Sequence, residues 1–321
     1  MNKLNFPMKK FALLLSSLLL LSSCDDGDLV FEELNFTAKD IQTCNSLYYK
    51  INGKELLLVN LANSNNGLVL DENAPLNQVQ NISTSDLNKI YYRTYSETVN
   101  QNTICSTIPP AQPVVVSEYV SNSGALIQYI RRSNVGYTNN KATINYNYTI
   151  NFKNVTLSNG TSQIKYEDYP FGTFIYKTNT LGFVFTNFTN CNSQLISADS
   201  DEELIFTLST PYTDATTIGE QIYNLSDNQF LTYNLYEGNI VNQAACDEKS
   251  NAIKEQWIAT SGSYVIKISE VVNQVTQNVD ALKQEFYLRN VTFNKDGLSF
   301  TIDELKIQEQ TISLQNKKSK S

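Results

Sequence analysis

The chain of 321 residues contains no histidine, and it has only one tryptophan and five cysteines. Without histidine it cannot carry a Ser-His-Asp triad, a Cys-His dyad or the HExxH zinc motif. It also has neither a glycine-rich phosphate loop nor a dinucleotide-binding fingerprint. These absences exclude the commonest serine and cysteine hydrolases, zinc proteases and nucleotide-binding enzymes.

The composition provides ample apolar surface. Hydrophobic residues make up 41% of the chain and aromatic residues 11%, with 19 tyrosines. Such a chain is too apolar to be disordered and can form packed cores. Its length favours two domains rather than one.

The first 23 residues predict a signal peptide. Lys3, Lys9 and Lys10 precede an apolar run from residue 11 to residue 21, which is too short to span a bilayer as a helix. The run ends in Leu21-Ser22-Ser23-Cys24, which resembles the lipobox of bacterial lipoproteins. The resemblance implies cleavage before Cys24, lipidation of that cysteine and insertion of its acyl chains into a bilayer. The alternative is an ordinary secretory signal with an incidental cysteine.

Residues 24–33 predict a short acidic tether. The sequence Asp25-Asp26-Gly27-Asp28 is similar to the acidic stretch that follows the lipidated cysteine in surface-exposed outer-membrane lipoproteins of the Bacteroidota. The resemblance implies a lipid anchor in the outer membrane and exposure at the cell surface. The alternative is that these acids only solvate the tether, which reaches at most about 35 Å.

The charge of the mature chain argues against polyanionic partners. Removing residues 1–23 removes three lysines and no acid, which leaves 21 basic and 32 acidic residues and a net charge of −11. We therefore expect neither nucleic acid nor an anionic lipid headgroup as a ligand. Residues 313–321 form a polar, lysine-containing tail.

Short motifs recur in the same order in the two halves of the chain. The offset between copies falls from 152 to 136 residues, as expected if loops are shorter in the second copy. We infer two homologous domains, residues 29–178 and 179–312. The matches are Asn35-Phe36-Thr37 with Asn187-Phe188-Thr189, Cys44-Asn45-Ser46 with Cys191-Asn192-Ser193, Ser85-Asp86 with Ser226-Asp227, Val99-Asn100-Gln101 with Val241-Asn242-Gln243, and Asn154-Val155-Thr156 with Asn290-Val291-Thr292.

The duplication selects a cysteine pairing. With Cys24 lipidated, four cysteines remain, and these allow three pairings. Because equivalent cysteines should form equivalent bridges, we predict disulfides Cys44–Cys105 and Cys191–Cys246. An envelope compartment is oxidising enough to keep them. A metal site is the alternative, but the chain has no CxxC pair and no histidine.

The periodicity predicts an all-β fold. Residues 144–152 alternate apolar and polar side chains, and other short β-branched or aromatic runs end at Asn-Gly or Asp-Gly turns. Ala252–Ile258 and Asn278–Lys283 are the segments most compatible with helix. The pattern, with one disulfide per copy, predicts two tandem immunoglobulin-like β-sandwich domains.

Acidic residues offer two candidate sites. Glu167-Asp168 and Asp303-Glu304 recur in both copies, but adjacent strand residues point to opposite faces and cannot flank one glycosidic bond. An acid pair drawn from distant segments stays open. Asp199 and Asp201 are a weak candidate for a calcium site, and the alternative is a solvated entry to a strand.

Tyrosines offer a third candidate site. Flat rings with polar edges could form a carbohydrate platform, whereas the alternative is that they fill the cores. The platform candidates are Tyr92, Tyr95, Tyr233, Tyr236 and Trp257.

The sequence thus predicts a binding protein that is not an enzyme and needs no cofactor. The first hypothesis is an interaction subunit of an outer-membrane protein complex, an assembly machine or a nutrient transporter, with an integral outer-membrane protein as its partner. The alternative is a surface lipoprotein that binds or hydrolyses glycans. Exposed aromatic rings in a groove favour the alternative, and exposed apolar surface favours the first hypothesis.

Replacing Cys24 with Ser tests the anchor, because serine lacks the sulfur that is lipidated. We expect C24S to remain unprocessed or to leave the membrane fraction, as measured by cell fractionation and N-terminal mass. Normal processing and full membrane retention of C24S would contradict the prediction.

Overall fold

The computed structural model describes residues 33–61, 70, 71, 74–185, 188–209 and 216–314. The signal peptide, Cys24 and the tether up to residue 32 lie outside the described residues, as do residues 315–321 of the predicted tail. The described chain is all-β with one short helix, and the predicted fold class is confirmed at this level.

The first sheet has nine strands. Their order across the sheet is β1-β2-β3-β5-β6-β8-β7-β4, and β9 pairs with β8. A single helix, α1 (Gln101–Cys105), lies between β5 and β6 and begins with a capping box between Asn100 and Thr103. The strands are β1 (Gln42–Cys44), β2 (Leu47–Asn52), β3 (Glu55–Leu61), β4 (Val79–Ser83), β5 (Asn88–Tyr95), β6 (Val115–Ser121), β7 (Leu126–Thr138), β8 (Lys141–Ser158) and β9 (Gln163–Gly182).

The second sheet has eight strands. Their order is β10-β11-β12-β14-β15-β16-β17, and β13 pairs with β15. The two segments considered most compatible with helix fall in β15 and β16, where alternate side chains face the core. The strands are β10 (Thr189–Cys191), β11 (Gln194–Asp199), β12 (Glu202–Thr207), β13 (Gly219–Asn224), β14 (Phe230–Tyr236), β15 (Ile253–Val272), β16 (Val279–Lys295) and β17 (Leu298–Ser313).

The two sheets have the same strand order if β15 is counted as the counterpart of β6 and β7 together. The first part of β15 pairs with β14, as β6 pairs with β5, and its second part pairs with β13, as β7 neighbours β4. The backbone also turns left-handed at matching positions. The matched positive-φ pairs are Asn45 and Asn192, Gly53 and Ser200, Gly124 and Gly262, Asn154 and Asn290, and Gly160 and Gly297.

Gly262 shows why one of these positions needs glycine. Its φ is +99°, and a Cβ added there would lie 2.3 Å from the carbonyl oxygen of Asn290. Any larger residue would force the two strands apart.

One detail of the sequence alignment changes in the structure. Val99 donates its N–H to the Gly53 carbonyl at 2.9 Å, and Ile240 donates to the Ser200 carbonyl at 2.8 Å. The structural counterpart of Val99 is therefore Ile240, not Val241. Burial gives the physical reason, because Val99 and Ile240 are buried whereas Val241 is exposed.

Compactness divides the chain differently from sheet membership. The first sheet spans residues 42–182 and the second spans residues 189–313. Residues 128–150 and 172–178, which the sequence assigns to the first domain, nevertheless belong to the second compact unit. The first compact unit contains described residues from 33–61, 82–127 and 151–171, and the second contains those from 70–81, 128–150 and 172–314.

The length of the strands explains this division. β8 has 18 residues and β9 has 20, more than a single core covers. Ala142, Ile144 and Tyr146 of β8 lie in the core cluster of the second unit, which also contains Trp257 and Phe300. The indole of Trp257 packs edge-on against Phe300, with ring centroids 5.2 Å apart.

Both predicted disulfides are confirmed. Cys44 is bonded to Cys105 and Cys191 to Cys246, with Cα–Cα distances of 6.0 and 5.5 Å. In the first sheet the bridge joins β1 to the segment that follows β5. In the second sheet it joins β10 to the segment that follows β14. These segments are residues 96–114 and 237–252.

Removing either bridge should lower stability. The bridges close loops of 61 and 55 residues, for which the chain-entropy estimate is about 4 kcal/mol each at 25 °C. We expect C44S/C105S and C191S/C246S each to unfold at lower denaturant than the parent protein. A variant lacking all four cysteines is the control, since reductant should not change its unfolding midpoint. The expectation fails if reductant leaves the midpoint of the parent protein unchanged.

Candidate functional site

The predicted aromatic platform does not exist as an exposed surface. Tyr92, Tyr95, Tyr233, Tyr236 and Trp257 are all buried. This corrects the platform hypothesis, because stacking on a sugar needs a ring face open to solvent. Tyrosines three residues apart face opposite sides of their strand, and both sides of β5 and β14 are covered at these positions.

Two of the buried tyrosines occupy equivalent positions on the cross-strand ladder. The Tyr92 hydroxyl donates to Glu55 Oε1 at 2.6 Å, and the Tyr233 hydroxyl donates to the Gly182 carbonyl at 2.9 Å. Burial raises the pKa of Tyr233, and the neighbouring Glu202 raises it further. Both hydroxyls act as internal hydrogen-bond donors.

The predicted acid pairs make equivalent ion pairs. Asp168 pairs with Lys153, and Glu304 pairs with Arg289 at 2.9 Å. Because the partners are equivalent between copies, these carboxylates brace neighbouring strands, β8 with β9 and β16 with β17.

The weak calcium candidate lies at the turn between β11 and β12. Asp199 ends β11, and Asp201 precedes β12. Within the part of the chain that the structure describes, no group of three or more Asp, Glu, Cys or His side chains could hold a metal ion.

The two sheets, called the first and the second copy because their strand orders match, differ on the sheet face beside each disulfide. In the first copy this face is an apolar cluster that includes Tyr49, Leu56, Leu58, Tyr95 and Val99. The Tyr49 hydroxyl reaches the sulfur of Cys105, at 3.4 Å. The disulfide therefore packs directly against this face of the first sheet.

The second copy has smaller and more polar residues on the same face. By strand register, Ile196 takes the place of Tyr49 and Glu203 takes the place of Leu56. These replacements leave a cavity of about 220 Å³. It is lined by Gln194, Ile196, Glu203, Ile205, Asn234, Tyr236 and residues 245–249.

Glu203 is the centre of a buried polar network. Its Oε2 accepts hydrogen bonds from the Tyr236 hydroxyl at 2.7 Å and from Asn234 Nδ2 at 3.3 Å. Burial, together with the neighbouring Glu203 carboxylate, raises the pKa of Tyr236. Gln256 Nε2 donates to Asn234 Oδ1 at 3.1 Å and fixes the orientation of that amide.

Lys249 neutralises this carboxylate from the loop above it. Its side chain is only 2% exposed, and Nζ lies 3.5 Å from Glu203 Oε1. The ammonium also donates to the carbonyls of Ala244, Ala245 and Asp247 at 2.7, 3.1 and 3.1 Å. These contacts of Lys249 hold the loop after Cys246 against the sheet.

The corresponding loop of the first copy projects into solvent. We call residues 106–116 the proline loop, because Pro109, Pro110 and Pro113 stiffen it. Its apolar side chains are exposed, with Ile108 at 85% and Val116 at 68%. The loop is an apolar surface that no described residue covers.

Both ends of the proline loop are fixed. Cys105 at its start is in the disulfide and ends the capped helix α1. At its other end Val114 N–H donates to Ser96 Oγ at 3.1 Å, and the Ser96 N–H donates to the Val114 carbonyl at 2.9 Å. The loop is therefore held in shape without covering its own apolar residues.

The sequence contained a sign of this divergence. Glu203 follows Asp199 and Asp201 in the chain, and neither Glu203 nor Lys249 was predicted as a site residue. When the strands of the two sheets are aligned by register, the Glu203 carboxylate occupies the position equivalent to Leu56, which is apolar. A polar residue at a core position of one copy marks a specialised site.

No protein-family model, curated protein or solved structure matches the chain. Across the described ranges, no helix is long and apolar enough to cross a membrane. The function is therefore inferred from the chain's own residues.

Replacing one partner of the Glu203–Lys249 pair should destabilise the second unit. In K249M the buried Glu203 loses its counter-ion, and such losses cost about 3 kcal/mol or more. The double variant E203L/K249M should recover most of the loss, because leucine occupies the equivalent position 56. Denaturant unfolding of the parent, single and double variants gives the coupling, and equal stability of K249M and parent contradicts it.

Proposed function

We propose that the chain is a non-enzymatic lipoprotein of the outer membrane, exposed at the cell surface and bound to an integral outer-membrane protein. The proline loop is the contact surface in this proposal. The observation that carries it is the exposure of Ile108, Val114, Val115 and Val116 in one rigid segment. Exposed apolar residues grouped in this way are typical of protein interaction sites.

Rigidity makes the loop suited to binding. A flexible loop loses conformational entropy when it binds, whereas the prolines and the fixed ends have already removed much of that freedom. Consecutive residues of a strand point to opposite faces, yet Val115 and Val116 are both exposed. A partner can therefore enclose this segment from two sides.

The anchor supports an integral membrane protein as the partner. A lipidated Cys24 and a tether of at most about 35 Å keep the start of the folded chain near the bilayer. The acidic mature chain is repelled by anionic lipid. A protein embedded in the same membrane is therefore the partner that lies within reach of the anchored chain.

We further propose that the halves are tandem homologous immunoglobulin-like β-sandwich domains with specialised loops. Matching strand orders, equivalent disulfides and five matched left-handed positions support common descent. The first copy keeps an apolar loop for binding, and the second copy folds its loop down through Lys249. The glycan-binding alternative loses its main support, since the five aromatic residues proposed for it are buried.

Photo-crosslinking tests the proposed contact in intact cells. A photoreactive residue at position 108 or 116 should crosslink to the same integral membrane protein, identified by its resistance to alkaline extraction. The aspartate variant V116D should abolish the crosslink from position 108, because burying an unpaired carboxylate opposes binding.

Val275 provides the matched control. It is 90% exposed at the turn between β15 and β16, so a probe there is equally accessible. V275D should leave the crosslink from position 108 intact. The proposal fails if positions 108 and 116 crosslink no more than position 275, or if V116D leaves the crosslink unchanged.

A further inference from the structure

A second buried carboxylate, Glu255 on β15, joins three polar side chains. Its Oε1 accepts hydrogen bonds from Asn179 Nδ2 at 2.5 Å and from the Tyr146 hydroxyl at 2.6 Å. Its Oε2 is ion-paired with Lys295 Nζ. Asn179 is at the end of β9 and Lys295 at the end of β16, so one carboxylate holds an amide and an amine from different sheets.

The carboxylate of Glu255 is shielded from solvent, with its side chain 1% exposed, whereas the Lys295 side chain is 22% exposed. Glu255, Asn179 and Tyr146 are buried, and Trp257, on the same face of β15, is fully buried. Burial and the hydrogen bond to Glu255 raise the pKa of Tyr146, which keeps its hydroxyl as a donor. In such a place electrostatic interactions and proton transfers are not screened by solvent.

Lys295 differs from Lys249 in what holds its amine. Lys249 donates to three backbone carbonyls, which use all three N–H groups of the ammonium. The hydrogen bonds described for Lys295 Nζ go to Glu255 and, at 3.5 Å, to the Tyr146 hydroxyl. Once its proton passes to Glu255, the Lys295 amine has a free electron pair.

We propose that Lys295 and Asn179 form an intramolecular amide bond, with Glu255 as the proton carrier. Glu255 takes a proton from the Lys295 ammonium, and the resulting amine attacks Cγ of Asn179. Glu255 gives this proton to Nδ2 and takes the second proton from Nζ, the Cγ–Nδ2 bond breaks, and the leaving ammonia carries the second proton away as ammonium. The bond Nζ–Cγ replaces the bond Cγ–Nδ2, and no oxidant or cofactor is consumed.

Proximity is the physical basis of the reaction. An amine and a side-chain amide do not react in water at an appreciable rate, but two groups fixed on one carboxylate gain the advantage of an intramolecular reaction. The first copy lacks the arrangement, since strand register puts Ser117 at the position of Glu255. The link would join β9 covalently to β16.

Peptide mapping of the full-length, reduced protein tests the link. We expect a branched peptide that contains Asn179 and Lys295 and is lighter than the sum of its two parts by one ammonia. Trypsin should not cleave after the acylated Lys295. E255Q should abolish the branched peptide, because glutamine cannot carry the proton, and K295R should abolish it while keeping a cation beside Glu255.

The control is K249R, which changes the lysine paired with Glu203 and should leave the branched peptide in place. A structural ion pair alone predicts unmodified Asn179 and Lys295 peptides in the parent protein, and that result overturns the proposal. Persistence of the branched peptide in E255Q would overturn the role of Glu255. The map of the parent protein decides the main point even if a variant fails to fold.

Discussion

The rest of each half depends on one covalent constraint, the disulfide that fastens a loop to the first strand of its sheet. Cys44 and Cys191 end the first strands, and their partners begin the loops that differ between copies. A bridge closing a loop of about 60 residues restricts the unfolded chain strongly. Because the bridge fixes the base of the loop, the loop itself could change in sequence without loss of the fold.

The proline loop and the loop after Cys246 differ in where they place their side chains. The proline loop keeps apolar side chains in solvent, and its stability comes from proline and from its fixed ends. The loop after Cys246 instead turns a lysine inward, where three carbonyls and Glu203 compensate its charge. Burying a charged pair gains little stability over apolar packing, so the pair is better explained by the shape it gives the loop.

The second compact unit combines strands of both sheets and has several buried polar residues. Glu255 receives donors from strands far apart in the chain, with Asn179 76 residues away and Lys295 40 residues away. A carboxylate in that position must be paired, because an isolated buried charge is too costly. The same pairing brings an amide and an amine together, which is the basis for the proposed covalent link.

The sequence by itself determined most of the strands, the recurring motifs and both disulfides, because alternation and recurring cysteine motifs are local or repeated patterns. It did not determine which residues face which neighbour. The sequence left Tyr92 and Tyr233 open to a platform or a core position, and the structure buries both in the core. The sequence analysis did not single out Glu203, because only strand register shows that it occupies the position equivalent to Leu56. The groups around Glu255 meet only through tertiary packing, because a side chain's polarity says what partner it needs but not which distant residue supplies it.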